Sequence, residues 1–352
     1  METPIASMFN QPRRVLKRLW QRGRPRAVIL MYHRVAQVAE DPHGLCVSPA
    51  HFAEHLEVLR RRCSVIPLRE MPARLREGRL PRRAVVITFD DGYADSLYAV
   101  RPLCERFDLP ATVFVTAGYL DGRREFWWDD LEAQTLGRGV TATRDLELEV
   151  HGERLTWPTG TPLRAVYDAL HMRLRPATAE VREQVLNDLA HRQGTGRSVR
   201  EDHRPLIESE CRQLAASRRV DVQSHTIHHL WLAAHPAAVQ AYELRESRRR
   251  LAEITGRPIT VLAYPYGFRD AVAPGTLALA REAGYSAACA TVRGQVVRGA
   301  DPLWLPRYVP GDVDGEELLR RLSGFFDDFA APHSPRGIAP RGTPEANDKE
   351  LM

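Results

Sequence analysis

The chain has 352 residues, 43% of them apolar, which is enough to bury a core and rules out a disordered or collagen-like chain. Lys+Arg exceed Asp+Glu by 50 to 45, a formal charge of +5, and lysine occurs only at positions 17 and 349, so nearly all the positive charge is arginine. One arginine run, Arg248-Arg249-Arg250, falls in a helical pattern beside Glu243, Glu246 and Glu253; it reads as a solvated, self-paired helix face and argues against nucleic acid as a partner. The five cysteines (Cys46, Cys63, Cys104, Cys211, Cys289) are scattered and form no CxxC pair, so buried reduced thiols are expected.

In chain order, residues 1–26 read as a basic leader. Val15, Leu16, Leu19 and Trp20 could form a stripe there, so peripheral contact with an anionic membrane surface is the alternative to a floppy segment. The apolar run from Ala27 to Tyr32 is too short for a signal-peptide core, and no stretch approaches the roughly 18 apolar residues of a membrane span. A cytoplasmic location, or one peripheral to the inner membrane, is therefore expected. Short apolar runs then alternate with helical patterns: strands at 27–35, 84–89, 111–115, 220–223, 259–264, 286–290 and 304–309, helices at 49–62 (capped by Ser48), 94–107, 208–217, 236–255 and 274–283. This α/β rhythm suits a seven-stranded barrel, although a doubly wound sheet would show the same local pattern. Residues 121–205 break the rhythm with an aromatic-acidic run at 126–130, a hairpin-like segment at 146–153 and two polar helices. They read as an insertion on one loop, which either shapes a cleft or decorates the surface. From about residue 329 a disordered tail is expected; the main domain is placed at 27–328, and oligomeric state is left open.

Three strand ends carry chemistry. Thr88-Phe89-Asp90-Asp91-Gly92 closes an apolar strand with two adjacent carboxylates, an arrangement that a bound cation or protonation of one acid would relieve, and Gly92 permits the turn that could bring both into one site. His225-Thr226-Ile227-His228-His229 follows another strand; a helical turn would put His225 and His229 on one side, as a divalent metal requires, with His228 pointing elsewhere. In βα architectures such strand ends share one face. One aspartate and two histidines leave open coordination positions, the composition of a catalytic rather than a structural metal site, while the remaining aspartate could take a proton from metal-bound water. The third segment, Tyr264-Pro265-Tyr266-Gly267, shapes a tight loop whose amide could face an oxyanion and whose tyrosines could stack on a sugar.

In these motifs the chain resembles the polysaccharide deacetylases of carbohydrate esterase family 4. The Met31-Tyr32-His33-Arg34-Val35 opening and the Tyr-Pro-Tyr-Gly loop are similar to its branch of bacterial exopolysaccharide-modifying enzymes. The resemblance implies a distorted (β/α)7 barrel with an inserted lobe. It implies a metal-dependent hydrolase that removes N-acetyl groups from N-acetylhexosamine units of a polysaccharide or glycan precursor, and hence an N-acetylated glycan as partner. It implies Asp90 as base, Asp91, His225 and His229 as ligands of a divalent metal (zinc first; cobalt, nickel or iron(II) as alternatives), and the Tyr266 amide as oxyanion donor. Two family features are replaced. The arginine that orients the base is Ala263, with Arg269 or Arg307 left to reach Asp90 from elsewhere. The Leu-x-His motif is Leu305-Pro306-Arg307, and since arginine is a poor proton donor, His33 is the candidate acid. Tyr93, Trp127, Trp128, Tyr264, Pro265 and Trp304 are candidate substrate contacts. Hydrolysis of a cyclic amide, a mononuclear iron oxygenase, or a glycan-binding protein that has kept the metal and lost catalysis are the competing readings.

Overall fold

The structure, a computed structural model, describes residues 26–137, 140 and 145–326; the apolar stripe of the leader and the tail from 329 lie outside the described residues. Its strands are β1 (Arg26–Tyr32), β2 (Arg34–Val35), β3 (Cys46–Val47), β4 (Ser64–Val65), β5 (Ala84–Phe89), β6 (Ala111–Val115), β7 (Leu146–Val150), β8 (Glu153–Trp157), β9 (Val220–Ser224), β10 (Val261–Ala263), β11 (Ala287–Arg293), β12 (Val296–Val297) and β13 (Leu305–Arg307). The expected strand at 27–35 breaks at His33: β1 stays in the main sheet, while β2 turns away to pair with β3.

The main sheet runs β12-β1-β5-β6-β9-β10-β11-β13, with β4 added beside β5. All its pairings are parallel except the short β12–β1 contact. Tyr308, just past β13, closes the circle on the first strand: its N–H donates to the Ile29 carbonyl at 2.8 Å and its carbonyl accepts from the Met31 N–H at 2.9 Å. That closure selects the barrel over the open sheet, a choice local periodicity could not make.

Side-chain alternation divides each barrel strand between two apolar clusters. Ala27, Ile29, Ala84, Val86, Phe114, Val261, Ala263, Cys289 and Leu305 fill the inside. Val28, Leu30, Val85, Ile87, Val113 and Leu262 face the surrounding helices. Helix Pro49–Arg62 starts as expected, with Ser48 Oγ accepting the His51 N–H at 3.3 Å and proline in the first turn, where its missing N–H costs nothing. The helix expected at 94–107 instead divides into a π turn, Ser96–Val100, and an α-helix, Arg101–Phe107. Pro102 explains the break, because it has no N–H to continue the ladder from the preceding turn.

Between β6 and β9, which pair directly with each other, the described residues of 121–205 lie outside the sheet and do not interrupt it. Helices Trp127–Thr135, Leu163–Leu174 and Ala179–Gln193 and the β7–β8 hairpin pack around an apolar cluster of their own, including Trp127, Leu131, Leu148, Tyr167, Leu170 and Leu186. No helix among the described residues is long and apolar enough to cross a membrane.

Candidate metal centre

Strand alternation places Asp90 on the inside of the barrel: Val86 and Thr88 precede it at two-residue steps, and the Asp90 N–H is tied to the Tyr32 carbonyl at 3.0 Å. The next residue would ordinarily point outward. Asp91 instead adopts a left-handed backbone, φ 68°, and Gly92 follows at φ 88°, so the chain folds over and both carboxyls stay at the mouth of the barrel. The positive φ favours glycine there, and a Cβ on Gly92 would stand a tight 3.1 Å from Val115.

His225 and His229 also come together, though not on the helical turn expected from their spacing. The segment after β9 is a non-helical loop in which Thr226 (φ 66°) and His229 (φ 52°) are left-handed, and these two reversals fold the second imidazole back beside the first. Buried Glu243 holds the loop in shape: its carboxylate accepts the Ile227 and His228 N–H groups, both at 2.9 Å, and binds His228 Nδ1 at 2.7 Å. Glu243 therefore does not belong to the solvated arginine face, where Arg249 pairs with Glu246 and Glu253. Glu243→Ala should weaken metal binding by about 10- to 100-fold, measured by calorimetric titration, because the loop loses the acceptor that fixes its form. It should also lower stability in urea by roughly 1–3 kcal/mol, the cost of an N–H left buried and unpaired.

His225 Nε2 and His229 Nε2 face Asp91 Oδ1 at 3.4 and 3.5 Å, and one ligand atom from each residue lies within 4.8 Å of the others. These separations are long for hydrogen bonds and suit a shared cation, since two atoms each ~2.0–2.1 Å from a tetrahedral zinc stand about 3.4 Å apart. His225 Nδ1 lies 2.8 Å from the Ala263 carbonyl; donating its proton there leaves the Nε2 lone pair free. His229 Nδ1 is buried without a hydrogen-bond partner among the described residues. The donor set therefore fits a divalent metal. Asp90, Asp91, His225 and His229 are all buried, which raises the need for compensating charge.

For Asp90 that charge is Arg307. Leu305 and Arg307 sit on the inward side of β13, and the guanidinium grips Asp90 with a two-pronged contact, 2.6 Å to Oδ1 and 2.7 Å to Oδ2, while Nε donates to the Ala290 carbonyl at 3.0 Å. Burial alone would push the Asp90 carboxyl up. The Arg307 charge and hydrogen bonds outweigh it and hold the carboxyl below its ordinary range. Arg269 is exposed and plays no such part. Ala263 faces the barrel interior, so an arginine there would enter the same space that the Arg307 guanidinium reaches from β13.

The other anticipated residues are placed unequally. His33 is half-buried at the break between β1 and β2. Tyr266 is left-handed (φ 60°), and its ring stands 4.8 Å from that of His229; the Trp128 ring stands 4.6 Å from His229 on another side. Tyr93 is buried beneath them, donating to Asp129 at 2.7 Å and accepting from Trp128 Nε1 at 2.8 Å. Trp127 and Pro265 are buried, and half-buried Trp304 lies 6.3 Å from Tyr264. Tyr264 is not available to stack on a sugar: it is fully buried in the core, its hydroxyl donating to the Leu303 carbonyl.

Sequence reasoning missed Glu243 as the clamp of the histidine loop and also missed Arg182. Arg182 lies on helix Ala179–Gln193 of the inserted segment and donates to the carbonyls of His228 and His229 at 3.2 and 3.1 Å. In an alternating polar helix, a buried arginine gives no signal that separates it from exposed ones.

The barrel thus carries at its strand ends an interior carboxylate beside an Asp-His-His cluster that could hold a metal ion. Residues 77–288 match the polysaccharide deacetylase family model, and the chain belongs to that family. The fold is shared with the Streptococcus pyogenes deacetylase PplD, solved in complex with acetate, at 18% identity and TM-score 0.56 over 84% of this chain and 98% of that one. It is also shared with IcaB from Ammonifex degensii (20%, TM-score 0.54, 85% and 96% coverage) and the BpsB deacetylase domain from Bordetella bronchiseptica (18%, 0.50, 82% and 97%). No curated protein sequence matches the chain.

Proposed function

We propose that the protein is a metal-dependent de-N-acetylase acting on N-acetylhexosamine units of a bacterial exopolysaccharide or its precursor. The observation that carries this reading is the pairing at one barrel mouth of a ligand cluster, Asp91-His225-His229, with a neighbouring acid, Asp90, that is locked by Arg307 and makes no part of the cluster. A divalent metal held by those three residues supplies Lewis acidity toward water and toward the acetamide carbonyl. Asp90, kept ionised, accepts the proton of the attacking water. Its orientation is fixed because both carboxylate oxygens are held by one rigid fork. The Tyr266 N–H, on its left-handed turn, donates to the oxygen on which negative charge develops. His33 delivers a proton to the departing nitrogen, so a free amine and acetate leave.

Acetate release from N-acetylglucosamine oligomers, assayed with added zinc, cobalt or chelator, tests the proposal. Asp90→Asn should reduce release by at least ~100-fold, within the span assigned to a positioned base, while bound metal stays at the parental level. Release that ignores both chelator and this substitution would reject it.

A further inference from the structure

The inserted segment brings two arginines to the metal centre, Arg175 and Arg182, and among the described residues neither makes a salt bridge, unlike Arg197 with Asp130 and Arg200 with Glu125. Arg182, 1% exposed, directs its N–H groups at neutral acceptors: the carbonyls of Leu174 (2.9 Å), Arg175 (2.7 Å), His228 and His229, and the Tyr266 hydroxyl (3.4 Å). Its guanidinium also stands 4.8 Å over the Trp127 ring. Arg175, 3% exposed, stands 4.7 Å over the Trp231 ring and 5.3 Å over the Tyr266 ring, the same ring that packs on His229. Its Nε has no hydrogen-bond partner, and one terminal nitrogen reaches only the Met172 sulfur at 3.6 Å. Two aromatic faces offset part of the cost of burying this cation, but they leave its Nε–H without an acceptor.

A buried guanidinium whose Nε finds no acceptor, which feels the charge of exposed Asp270 but is in salt-bridge contact with no carboxylate among the described residues, and which stands one ring away from His229, has the chemistry that recognises an oxyanion. We propose that Arg175 binds an anionic substituent, a carboxylate or a phosphate, on the substrate next to the N-acetylated sugar. The inference rests on the deacetylase reading above and adds that the substrate is acidic.

The test compares kcat/KM for three substrates: a neutral N-acetylglucosamine oligomer, an oligosaccharide alternating N-acetylglucosamine with glucuronate, and N-acetylglucosamine 1-phosphate. The parent should prefer one anionic substrate by about 10- to 100-fold, the range of a charge-assisted contact, and the arm that shows the preference identifies carboxylate or phosphate. In Arg175→Gln the ratio of anionic to neutral kcat/KM should fall to near one, and Arg175→Lys should restore part of it. No preference in the parent, or an equal loss on neutral and anionic substrates in Arg175→Gln, would overturn the assignment. Should no acetate be released from any substrate, the deacetylase reading fails and calorimetry still decides the inference. N-acetylglucosamine 1-phosphate should then bind the zinc-loaded protein more tightly than N-acetylglucosamine, and Arg175→Gln should abolish the difference; equal binding, or a difference indifferent to Arg175, overturns it.

Discussion

Arg307→Met is expected to abolish deacetylation and to make the protein's stability fall as pH rises. In the parent, the Asp90 carboxyl is held below its ordinary range by the arginine despite burial, so the pair stabilises the fold above the unfolded carboxylate pKa of about 3.9 and that stabilisation fades as pH drops through the lower folded value. In the variant, burial persists without the compensating cation. The folded carboxyl then titrates above the unfolded one, and ionising it in place costs the fold free energy. The deficit against the parent should be small near pH 4 and grow to about 3–5 kcal/mol at pH 7, the range for half of a buried ion pair removed. Urea titrations at several pH values measure it. A protonated Asp90 cannot accept a proton, so turnover near pH 7 should drop at least ~100-fold, with whatever remains shifted toward higher pH. A double-mutant cycle with Asp90→Asn should show strong coupling, because the arginine acts through that carboxylate. A stability profile with the parental pH slope would show that the fork does not set the state of Asp90.

Asp91→Asn should have the largest effect on metal content. The Asp91 carboxylate lies between two imidazoles that are each committed to the same point, and the substitution keeps its shape while removing the charge that draws a cation there. One metal per chain is expected in the parent by elemental analysis and little in the variant, with acetate release down on the order of 1000-fold. Zinc at 100 times its Kd should stabilise the parent by about 2.7 kcal/mol and should leave the variant's unfolding curve almost unmoved. Equal zinc-induced stabilisation of both proteins would place the metal elsewhere.

Much of this site was legible before any coordinates because the βα rhythm and the strand-end motifs express short-range rules. Thr88-Phe89-Asp90-Asp91-Gly92 announces a strand and its reversal, and His225 and His229 are close enough in sequence for any compact turn to unite them. The kind of turn was misjudged: spacing four apart suggests a helix, whereas the left-handed Thr226 and His229 are made tenable by Glu243, fifteen or so residues downstream, whose role only the packing of helix Ala237–Thr255 reveals. Arg307 was half visible. Its motif position suggested a lost proton donor, and the missing arginine at Ala263 left Arg269 or Arg307 to reach Asp90; the choice of Arg307 follows from its inward register two residues after Leu305, which is known only once the barrel closes. Tyr264 shows the opposite error: an aromatic beside a functional loop looks available to a ligand, yet the strand's alternation turns it into the core. Arg175 and Arg182 were invisible because a helical pattern records polarity and not which polar residues the fold will bury.

The grip of Arg307 on Asp90 spans 217 positions of the chain. During synthesis the strand bearing Asp90 leaves the ribosome long before its partner does, at a few to twenty residues per second. Until that partner arrives the nascent barrel lacks its closing strand, and its central acid has to remain hydrated or take up a proton. Closure of the barrel and neutralisation of its buried acid are therefore one late event, and a chain released short of residue 307 would carry Asp90 without the wall that encloses it or the cation that pairs with it.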